Sequence, residues 1–253
     1  MNDIEHNWDK MAQAYEEFTA GENSYSYKIE WPCIQKMLPD LNGKNIIDLG
    51  CGTGRFTFWL EGKSPSRITG IDLSADMIKL AQAKAKKLCS RAEFIKGDIA
   101  KHFTDEKFDF IFSSTVSHYI ENLKDLFSNI YEILTPGGQC IISVMNPVYT
   151  SQYPIGNGID TPSDDDWHIR YLDKRERCYI QPWIEYNDEV QNFLSTSFHH
   201  TFSDYVNAIT ACGLIITEMR EPLSPEDWEK TSPRKYTAFI ETPSFLIIKL
   251  QKQ

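Results

Sequence analysis

A glycine-rich turn at residues 50–54 is the first stretch of this chain whose residue types suggest chemistry. Residues 45–49 form an apolar run, and Gly50, Gly52 and Gly54 follow it at every second position. Glycines permit a sharp turn and let backbone amides approach a ligand at the start of the next helix. Dinucleotide loops place their third glycine one position later. The spacing therefore predicts a ligand-binding turn of a different class.

Asp48, two residues before the first glycine, narrows the choice of ligand. A pyrophosphate brings about two negative charges, and at an effective dielectric of about 20 each close repulsion by a carboxylate costs a few kcal/mol. A ligand with a cationic end gains from the same carboxylate. S-adenosylmethionine carries an ammonium and a sulfonium and no phosphate, so Asp48 favours it over a dinucleotide. The alternative role of Asp48 is to cap the following turn or helix.

Two further acids follow the next predicted strands. Asp72 ends the second strand, where a carboxylate accepts hydrogen bonds from both ribose hydroxyls. NAD sites share this acid, so Asp72 indicates an adenosine ribose without choosing the ligand. Asp98 follows the third strand, where it is placed to accept an adenine amino hydrogen while Ile99 packs on the ring. A Gly-Asp pair such as residues 97–98 also occurs in ordinary turns.

The elements that must position these acids alternate between helix and strand. Apolar spacing and capping residues predict helices over residues 4–18, 28–38, 54–61, 74–88, 123–134, 202–212 and about 234–240. Apolar runs predict strands over residues 45–49, 67–72, 94–95, 108–113, 140–145, 214–217 and 245–250. Strands that are apolar throughout and alternate with helices indicate a parallel sheet covered on both faces. The predicted class is α/β, with a doubly wound, mostly parallel sheet.

The 253 residues are expected to form a single domain, 1–253. We divide it into an N-terminal helical cap (1–43), a donor-binding half (44–146), an inserted lid (147–197) and the C-terminal part of the sheet (198–253). The lid interrupts the alternation and carries five aromatic residues, Trp167, Tyr171, Tyr179, Trp183 and Tyr186. These aromatics indicate either an apolar pocket or a small core of the lid itself. The acidic run at residues 164–166 is expected to be a solvated loop.

Charge and composition exclude several classes of function. The 26 Lys and Arg against 36 Asp and Glu give a net charge of −10, which argues against a nucleic-acid partner. No apolar run approaches the roughly 18 residues of a membrane span. The six cysteines are scattered, with no CxxC pair, which predicts reduced thiols in a cytoplasmic protein and no metal site.

The ordered set DLGCGTG at residues 48–54, Asp72, Asp98 and LTPGG at residues 134–138 resembles the class I S-adenosylmethionine-dependent methyltransferases. The resemblance implies a seven-stranded Rossmann-like sheet whose last strand, 245–250, is antiparallel. It implies S-adenosylmethionine as the methyl donor and S-adenosylhomocysteine as the product. The cofactor-binding residues that it implies are Tyr15, Asp48, Gly50, Cys51, Gly52, Gly54, Asp72, Leu73, Met77, Asp98, Ile99, Ser113 and Ser114.

The methyl acceptor is narrowed by a motif that is missing. Members of this family that methylate DNA-base amino groups or glutamine side chains carry an (Asn/Asp)-Pro-Pro-aromatic motif after the fourth strand. Here residues 113–119 read SSTVSHY. Together with the acidic balance, this favours a small-molecule acceptor.

Two histidines are candidate catalytic residues, as a base or an orienting donor, because imidazole titrates near neutrality. His118 follows the fourth strand, where the resembled family often has a histidine or an aromatic residue near the donor. His199 falls on the histidine of a Tyr-His-Arg-Thr-Phe-Ser-Asp-Tyr pattern found in a subgroup of bacterial small-molecule methyltransferases, although Phe198 and His200 depart from it. The alternatives are that His118 is a structural residue at a helix start and that His199 is bonded to backbone.

The favoured function is transfer of the sulfonium methyl group to a small molecule by in-line displacement. A dinucleotide-dependent oxidoreductase, an S-adenosylmethionine-binding module without turnover and a nucleic-acid methyltransferase are the alternatives. The protein is expected to be a monomer or a homodimer.

Overall fold

The computed structural model describes residues 3–20, 24–102, 104–152, 169–181, 185–186, 189–190 and 193–253. Two of the five aromatic residues of the predicted lid, Trp167 and Trp183, lie outside these ranges, as does the acidic run at residues 164–166.

The helices and strands occur in the alternating order that the sequence predicts. The helices are α1 (Asp3–Ala20), α2 (Trp31–Met37), α3 (Arg55–Glu61), α4 (Ala75–Leu88), α5 (Leu123–Ile133), α6 (Pro147–Thr150), α7 (Phe202–Ala211), α8 (Trp228–Thr231) and α9 (Pro233–Glu241). The strands are β1 (Asn45–Leu49), β2 (Arg67–Asp72), β3 (Glu93–Lys96), β4 (Phe108–Ser114), β5 (Leu134–Met145), β6 (Arg177–Gln181), β7 (Glu185–Tyr186), β8 (Glu189–Val190), β9 (Phe193–Ser197), β10 (Leu214–Arg220) and β11 (Phe245–Lys252). A π-helical turn, Ser26–Glu30, precedes α2, and a 3₁₀ turn, Ser117–Tyr119, precedes α5.

Seven strands form the central sheet in the order β10-β11-β5-β4-β1-β2-β3. All neighbours from β5 to β3 are parallel, and β11 is antiparallel to both β5 and β10. This confirms the predicted mostly parallel, doubly wound sheet and its antiparallel last strand. The strand order reverses between β1 and β4, and ligands of open α/β sheets bind beyond the strand ends at such a point.

The core lies on both faces of this sheet, because successive residues of a strand point to opposite sides. Along β1, Ile46 packs with the residues of α2 and α4, whereas Ile47 and Leu49 pack with α5 and α7. Ile46 and Leu49 have no exposed surface. Apolar side chains on both faces of β1 thus fix its carboxyl end, where the glycine turn begins.

Capping residues set two helix starts as predicted. Ser74 accepts a hydrogen bond from the backbone N–H of Met77 at the start of α4. Thr201 and Asp204 form a capping box at the start of α7, since each side chain accepts from the other's backbone N–H. Residues 72–77 and 201–204 are therefore fixed locally as well as by packing.

Two predicted boundaries were wrong. Strand β5 begins at Leu134 rather than residue 140, and the Pro-Gly-Gly segment lies inside it as a bulge, because Phe108 pairs with Leu134 and Phe110 with Gln139. The helix predicted over residues 28–38 is divided into the π-helical turn and the shorter α2.

The described part of the lid contains α6 and strands β6 to β9. Strands β6 and β9 pair antiparallel in a two-stranded sheet separate from the central one. Phe193 on β9 packs against Met11 and Ala14 of α1. The lid and the N-terminal helix therefore meet above the central sheet.

Candidate active site

A cavity of about 430 Å³ lies beyond the carboxyl ends of the parallel strands. We call it the main cavity. Its wall comes from α1, the glycine turn, the segments after β2, β3 and β4, and two lid-side strands, β6 and β9 with the residues beside them. Its position matches the point of strand reversal, so the fold alone predicts a ligand here.

The glycine turn forms one wall of the main cavity. Gly50 has φ +73°, and a Cβ on it would lie 2.2 Å from Cγ2 of Val116. Gly52 has φ +53° and lies beneath the ring of Tyr15, whose Cε1 would be 3.8 Å from an added Cβ. The turn thus presents bare backbone to the cavity between two packed side chains, which is a cradle that a side chain would fill.

Asp72 is held in a fixed orientation at the tip of β2. Its two carboxylate oxygens accept from the backbone N–H groups of Gly52, at 2.8 Å, and Ser74, at 2.9 Å. Burial raises the pKa of Asp72, and these two hydrogen bonds oppose the rise. Each oxygen keeps a lone pair for a further donor. The geometry suits a ligand with a pair of hydroxyl groups.

The far end of the main cavity is a partly apolar slot. Met77 and Ile99 are buried side chains on its wall, with Leu73 and Asp98 beside them. The Asp98 carboxylate accepts from the backbone N–H of Ala100 at 3.0 Å. A flat ring with a donor at its edge fits between these groups.

A small side chamber of about 50 Å³ adjoins the main cavity behind Tyr15. The residues that line it are Tyr15, Thr19, Ser26, Asp48, Gly50, Cys51, Gly52, Thr53, Arg55, Phe56 and Ser114. Asp48 is buried and accepts the hydroxyl of Thr57 at 2.6 Å. Burial raises its pKa to about 7, against the effect of that hydrogen bond. Arg55 lines the same chamber, so one acidic and one basic residue border this small space, which fits the two charges of an amino acid.

Sequence reasoning missed Glu30, a fully buried carboxylate behind the side chamber. It accepts the hydroxyl of Ser114 at 2.5 Å and also the hydroxyl of Ser26, and both serines line the chamber. Burial raises the pKa of Glu30, whereas the serine hydrogen bonds lower it. A carboxylate can only accept hydrogen bonds, so both serine hydroxyls donate their protons to Glu30, and their oxygen lone pairs remain available to other groups. The sequence signal that could have identified Glu30 is a charged residue within the apolar stretch IEWP. In the structure this residue ends a π-helical turn.

Three aromatic rings stand at right angles on the wall of the main cavity. The ring of Trp8 is 5.4 Å from that of Tyr15 and 5.4 Å from that of Tyr119, edge to face in both cases. From the lid side, Phe198, Thr196 and Glu176 complete this part of the wall. Of these residues only Tyr15 was named from the sequence as a site residue.

Helix α1 is anchored over the main cavity by its acidic residues. Asp9 accepts from the Ser74 hydroxyl at 2.6 Å and from the backbone N–H of Asp76 at 3.1 Å. Glu16 accepts the hydroxyl of Thr53 and pairs with Lys84 at 2.8 Å. These contacts hold the helix against the segments that follow β1 and β2.

Comparison with known proteins identifies the family. The family model described as a methyltransferase domain matches residues 40–170. A crystal structure of an S-adenosylmethionine-dependent methyltransferase from Mesorhizobium loti superposes with a TM-score of 0.72 at 26% identity, covering 91% of this chain and 99% of that one. The chain is an S-adenosylmethionine-dependent methyltransferase.

Two relatives extend the comparison. An uncharacterized protein of Haemophilus influenzae is 26% identical over 255 residues, 96% of this chain and 95% of that protein. Malonyl-(acyl-carrier protein) O-methyltransferase 2 of Ilyobacter polytropus is 32% identical over 189 residues, 70% of this chain. The match spans 62% of the length of the Ilyobacter enzyme.

The walls of the methyltransferase cavities fit the methyl donor. The bare backbone at Gly50 and Gly52, the oriented Asp72 and the slot at Met77 and Ile99 suit an adenosine group, and the side chamber suits an amino-acid group. Eleven of the thirteen cofactor-binding residues named from the sequence line one cavity or both: Tyr15, Asp48, Gly50, Cys51, Gly52, Asp72, Leu73, Met77, Asp98, Ile99 and Ser114. Family membership does not favour the oxidoreductase alternative.

The other two named residues lie beside the cavities. Ser113 is buried and donates to the carbonyl of Leu49 at 2.8 Å, which ties β4 to β1. Gly54 has φ +84°, and a Cβ on it would collide with Phe94 at 2.7 Å. Ser114, the neighbour of Ser113, points to the opposite side and reaches both cavities.

Neither candidate catalytic histidine is among the residues that line the two cavities. His199 is buried, with Nε2 at 2.8 Å from the Tyr171 carbonyl and Nδ1 at 2.8 Å from the Thr150 hydroxyl. The carbonyl requires a proton on Nε2, so Nδ1 accepts the Thr150 hydroxyl, and neither nitrogen is free. Burial lowers the pKa of His199 to about 4.

His118 is also buried, and its Nδ1 has no hydrogen-bond partner. Burial, with a smaller contribution from His200, lowers its pKa to about 3. Its backbone carbonyl accepts from the N–H of Phe198 at 2.7 Å, which joins the 3₁₀ turn to the lid-side wall. In this conformation the geometry of both histidines matches the structural alternatives.

None of the helices within the described ranges combines the length and the apolar character needed to cross a bilayer. The same ranges hold no group of three or more His, Cys, Asp or Glu side chains arranged for a metal ion.

Proposed function

We propose that this methyltransferase transfers the methyl group of S-adenosylmethionine to a small-molecule acceptor bound between the N-terminal helix and the lid. The single observation that carries the proposal is the main cavity, which runs from the glycine turn and Asp72 to the aromatic side chains of Trp8 and Phe198. A site of this size and apolar character suits small molecules. The net charge of −10 gives no support to a nucleic-acid acceptor.

In the proposed binding mode, Asp72 accepts the two ribose hydroxyls and Asp98 accepts the adenine amino group. The amino-acid group occupies the side chamber, with its ammonium near Asp48 and its carboxylate near Arg55. Tyr15 lines both spaces and covers the glycine turn. When bound, the donor supplies an activated methyl group on a sulfonium.

The chain's own part in catalysis is to position the reactants and exclude water. The ring of Tyr15 and α1 close one side of the main cavity, and Phe198 closes the lid side. A base is needed only for an acceptor that is protonated when it binds. The bonded nitrogens of His199 and the buried ring of His118 support a positioning role for both residues, in place of the catalytic role that the sequence suggested.

The Ilyobacter relative is named as an O-methyltransferase of malonyl-(acyl-carrier protein), which supports methylation of metabolites or carrier-bound groups rather than nucleic acid. We also propose a cytoplasmic location, because all six cysteines are unpaired thiols. A monomer or a homodimer remains the proposed assembly. Residues 147–197 remain the proposed lid.

Calorimetry and a transfer assay test the proposal together. S-adenosylhomocysteine should bind, and NAD should not. Methyl-labelled S-adenosylmethionine, incubated with the protein and a small-molecule extract of cells, should label a metabolite. Binding without label would indicate a module without turnover. Label on added RNA or DNA, and not on metabolites, would refute the small-molecule proposal.

A further inference from the structure

The wall of the main cavity carries acids and no basic side chain. Its charged residues within the described ranges are Asp72, Asp98, Glu121 and Glu176. The residues outside those ranges include neither Lys nor Arg. Lys101 pairs with Asp98 at 2.9 Å from outside the wall, and Arg55 lies in the side chamber. An anionic acceptor would thus enter a cavity whose wall has no basic side chain to pair with it.

The proposed binding mode leaves two carboxylates on the wall, Glu121 and Glu176, and Glu176 is the one on the lid side, where the acceptor is proposed to bind. Asp72 and Asp98 lie at the ribose and adenine positions, and Glu121 follows Ile120 after the 3₁₀ turn. Glu176 instead lies with Thr196 and Phe198 on the lid side, one residue before β6. One of its oxygens accepts a weak bond from the thiol of Cys178 at 3.4 Å. Because Glu176 lines the cavity, its carboxylate can also accept a hydrogen bond from a ligand.

The aromatic wall supplies the second feature that favours a cation. This wall consists of Trp8, Tyr15 and Tyr119, and the ring of Trp8 is perpendicular to each of the other two. Aromatic rings attract cations through their quadrupoles, and binding sites for ammonium ligands use such rings. This observation is independent of the count of charges.

The charge balance of methyl transfer leads to the same class of acceptor. When a neutral amine attacks, the positive charge that leaves sulfur appears on nitrogen, and the cavity keeps its total charge. When a phenolate, carboxylate or phosphate attacks, one positive and one negative charge disappear together. Carboxylates on the wall stabilise the first process throughout and oppose entry of the anion in the second.

We infer that the methyl acceptor is a small amine whose nitrogen binds near Glu176 and the aromatic wall. The inference rests on the proposed function and names its substrate class. The amine enters as an ammonium and gives one proton to Glu176, which passes it to water at the exposed mouth. The nitrogen lone pair then bonds to the methyl carbon, and the carbon–sulfur pair stays on sulfur. The products are an N-methylammonium and S-adenosylhomocysteine.

The test separates the candidate acceptors by charge before the reaction. A small-molecule extract of cells is divided by ion exchange into cationic, neutral and anionic fractions, and each is incubated with the protein and methyl-labelled donor. Label is expected in the cationic fraction. Label in the anionic or neutral fraction would overturn the inference and leave the proposed function standing. No label in any fraction, from protein that binds S-adenosylhomocysteine, would overturn both.

A matched pair of variants tests the role of Glu176. Glu176→Gln should lower the initial rate with limiting cationic fraction at least fivefold and leave the affinity for S-adenosylhomocysteine unchanged. Glu176→Lys should lower that rate further. Glu229→Gln makes the same chemical change at an exposed position of α8 and should match the wild type. A wild-type rate for Glu176→Gln would remove Glu176 from acceptor binding.

Discussion

Replacing Glu30 by glutamine tests how the side chamber distinguishes an ammonium from other groups. Glu30 accepts the hydroxyls of Ser26 and Ser114, so the lone pairs of both serines remain for the chamber. Glutamine has nearly the same shape but carries an NH₂ group, which must donate to one serine. That serine then turns its own proton toward the chamber, where the donor's ammonium has only protons to offer.

The expected cost is one hydrogen bond to a charged group. Such a bond contributes about 1.5–3 kcal/mol, and about 1.4 kcal/mol corresponds to a tenfold change in affinity. Glu30→Gln should therefore weaken S-adenosylhomocysteine binding roughly 10- to 140-fold.

Titration calorimetry with two ligands makes the test specific. S-adenosylhomocysteine has the amino-acid group, whereas 5′-methylthioadenosine shares its adenosine and lacks that group. We expect Glu30→Gln to weaken only the first ligand, and Glu229→Gln to change neither. Equal losses for both ligands would indicate general damage to the site, and no loss for S-adenosylhomocysteine would refute the reasoning about hydroxyl polarity.

Four other predictions concern single side chains. Because burial raises the pKa of Asp48 to about 7, S-adenosylhomocysteine affinity should decline as the pH falls through that value while 5′-methylthioadenosine affinity stays constant; calorimetry at several pH values would show it. Asp72→Asn should weaken both ligands about tenfold or more, since an amide has one accepting oxygen, and unchanged affinity would contradict the ribose assignment. His199→Ala should lower the free energy of unfolding by about 2 kcal/mol in urea titrations, since its partners such as Thr150 lose their bonds; wild-type stability with a hundredfold lower kcat would instead make it a base. The pKa of His118 is about 3 in the folded protein and about 6.5 in the unfolded chain, so the free energy of unfolding declines as the pH falls below 6.5. From pH 7 to pH 5 the wild type should lose about 2 kcal/mol more of this free energy than His118→Phe, and equal losses would refute the buried neutral ring.

The fold could be predicted in detail where local and long-range preferences agree. The bounds of β1 and β2 match the apolar runs at Asn45–Leu49 and Arg67–Asp72, because fully buried parallel strands need side chains that are apolar on both faces. The start of β5 could not be predicted. Pro136 and two glycines are usual signs of a turn, and only pairing with β4 keeps them inside a strand as a bulge.

Most residues that line the cavities after β1, β2 and β3 were also readable from the sequence, since they follow strand ends. Trp8, Glu176 and Glu30 were not: the first two line the main cavity from elements far away in the chain, and Glu30 acts on the side chamber through Ser26 and Ser114. His199 shows the opposite limit. Its type suggested a base, but tertiary contacts to Thr150 and Tyr171 occupy both nitrogens, which no local pattern reveals.

The missing side chain at Gly50 has a consequence for the geometry of transfer. Val116 fills the space that a Cβ would take, so the loops after β1 and β4 interlock directly. In the proposed binding mode, the loop after β1 contacts the donor and the loop after β4 continues along the wall of the main cavity toward the acceptor. The alignment of the two reactants then depends on this direct contact between the loops. A larger side chain at this contact would push the two loops apart, and this would impair the alignment of the reactants before it weakened their binding.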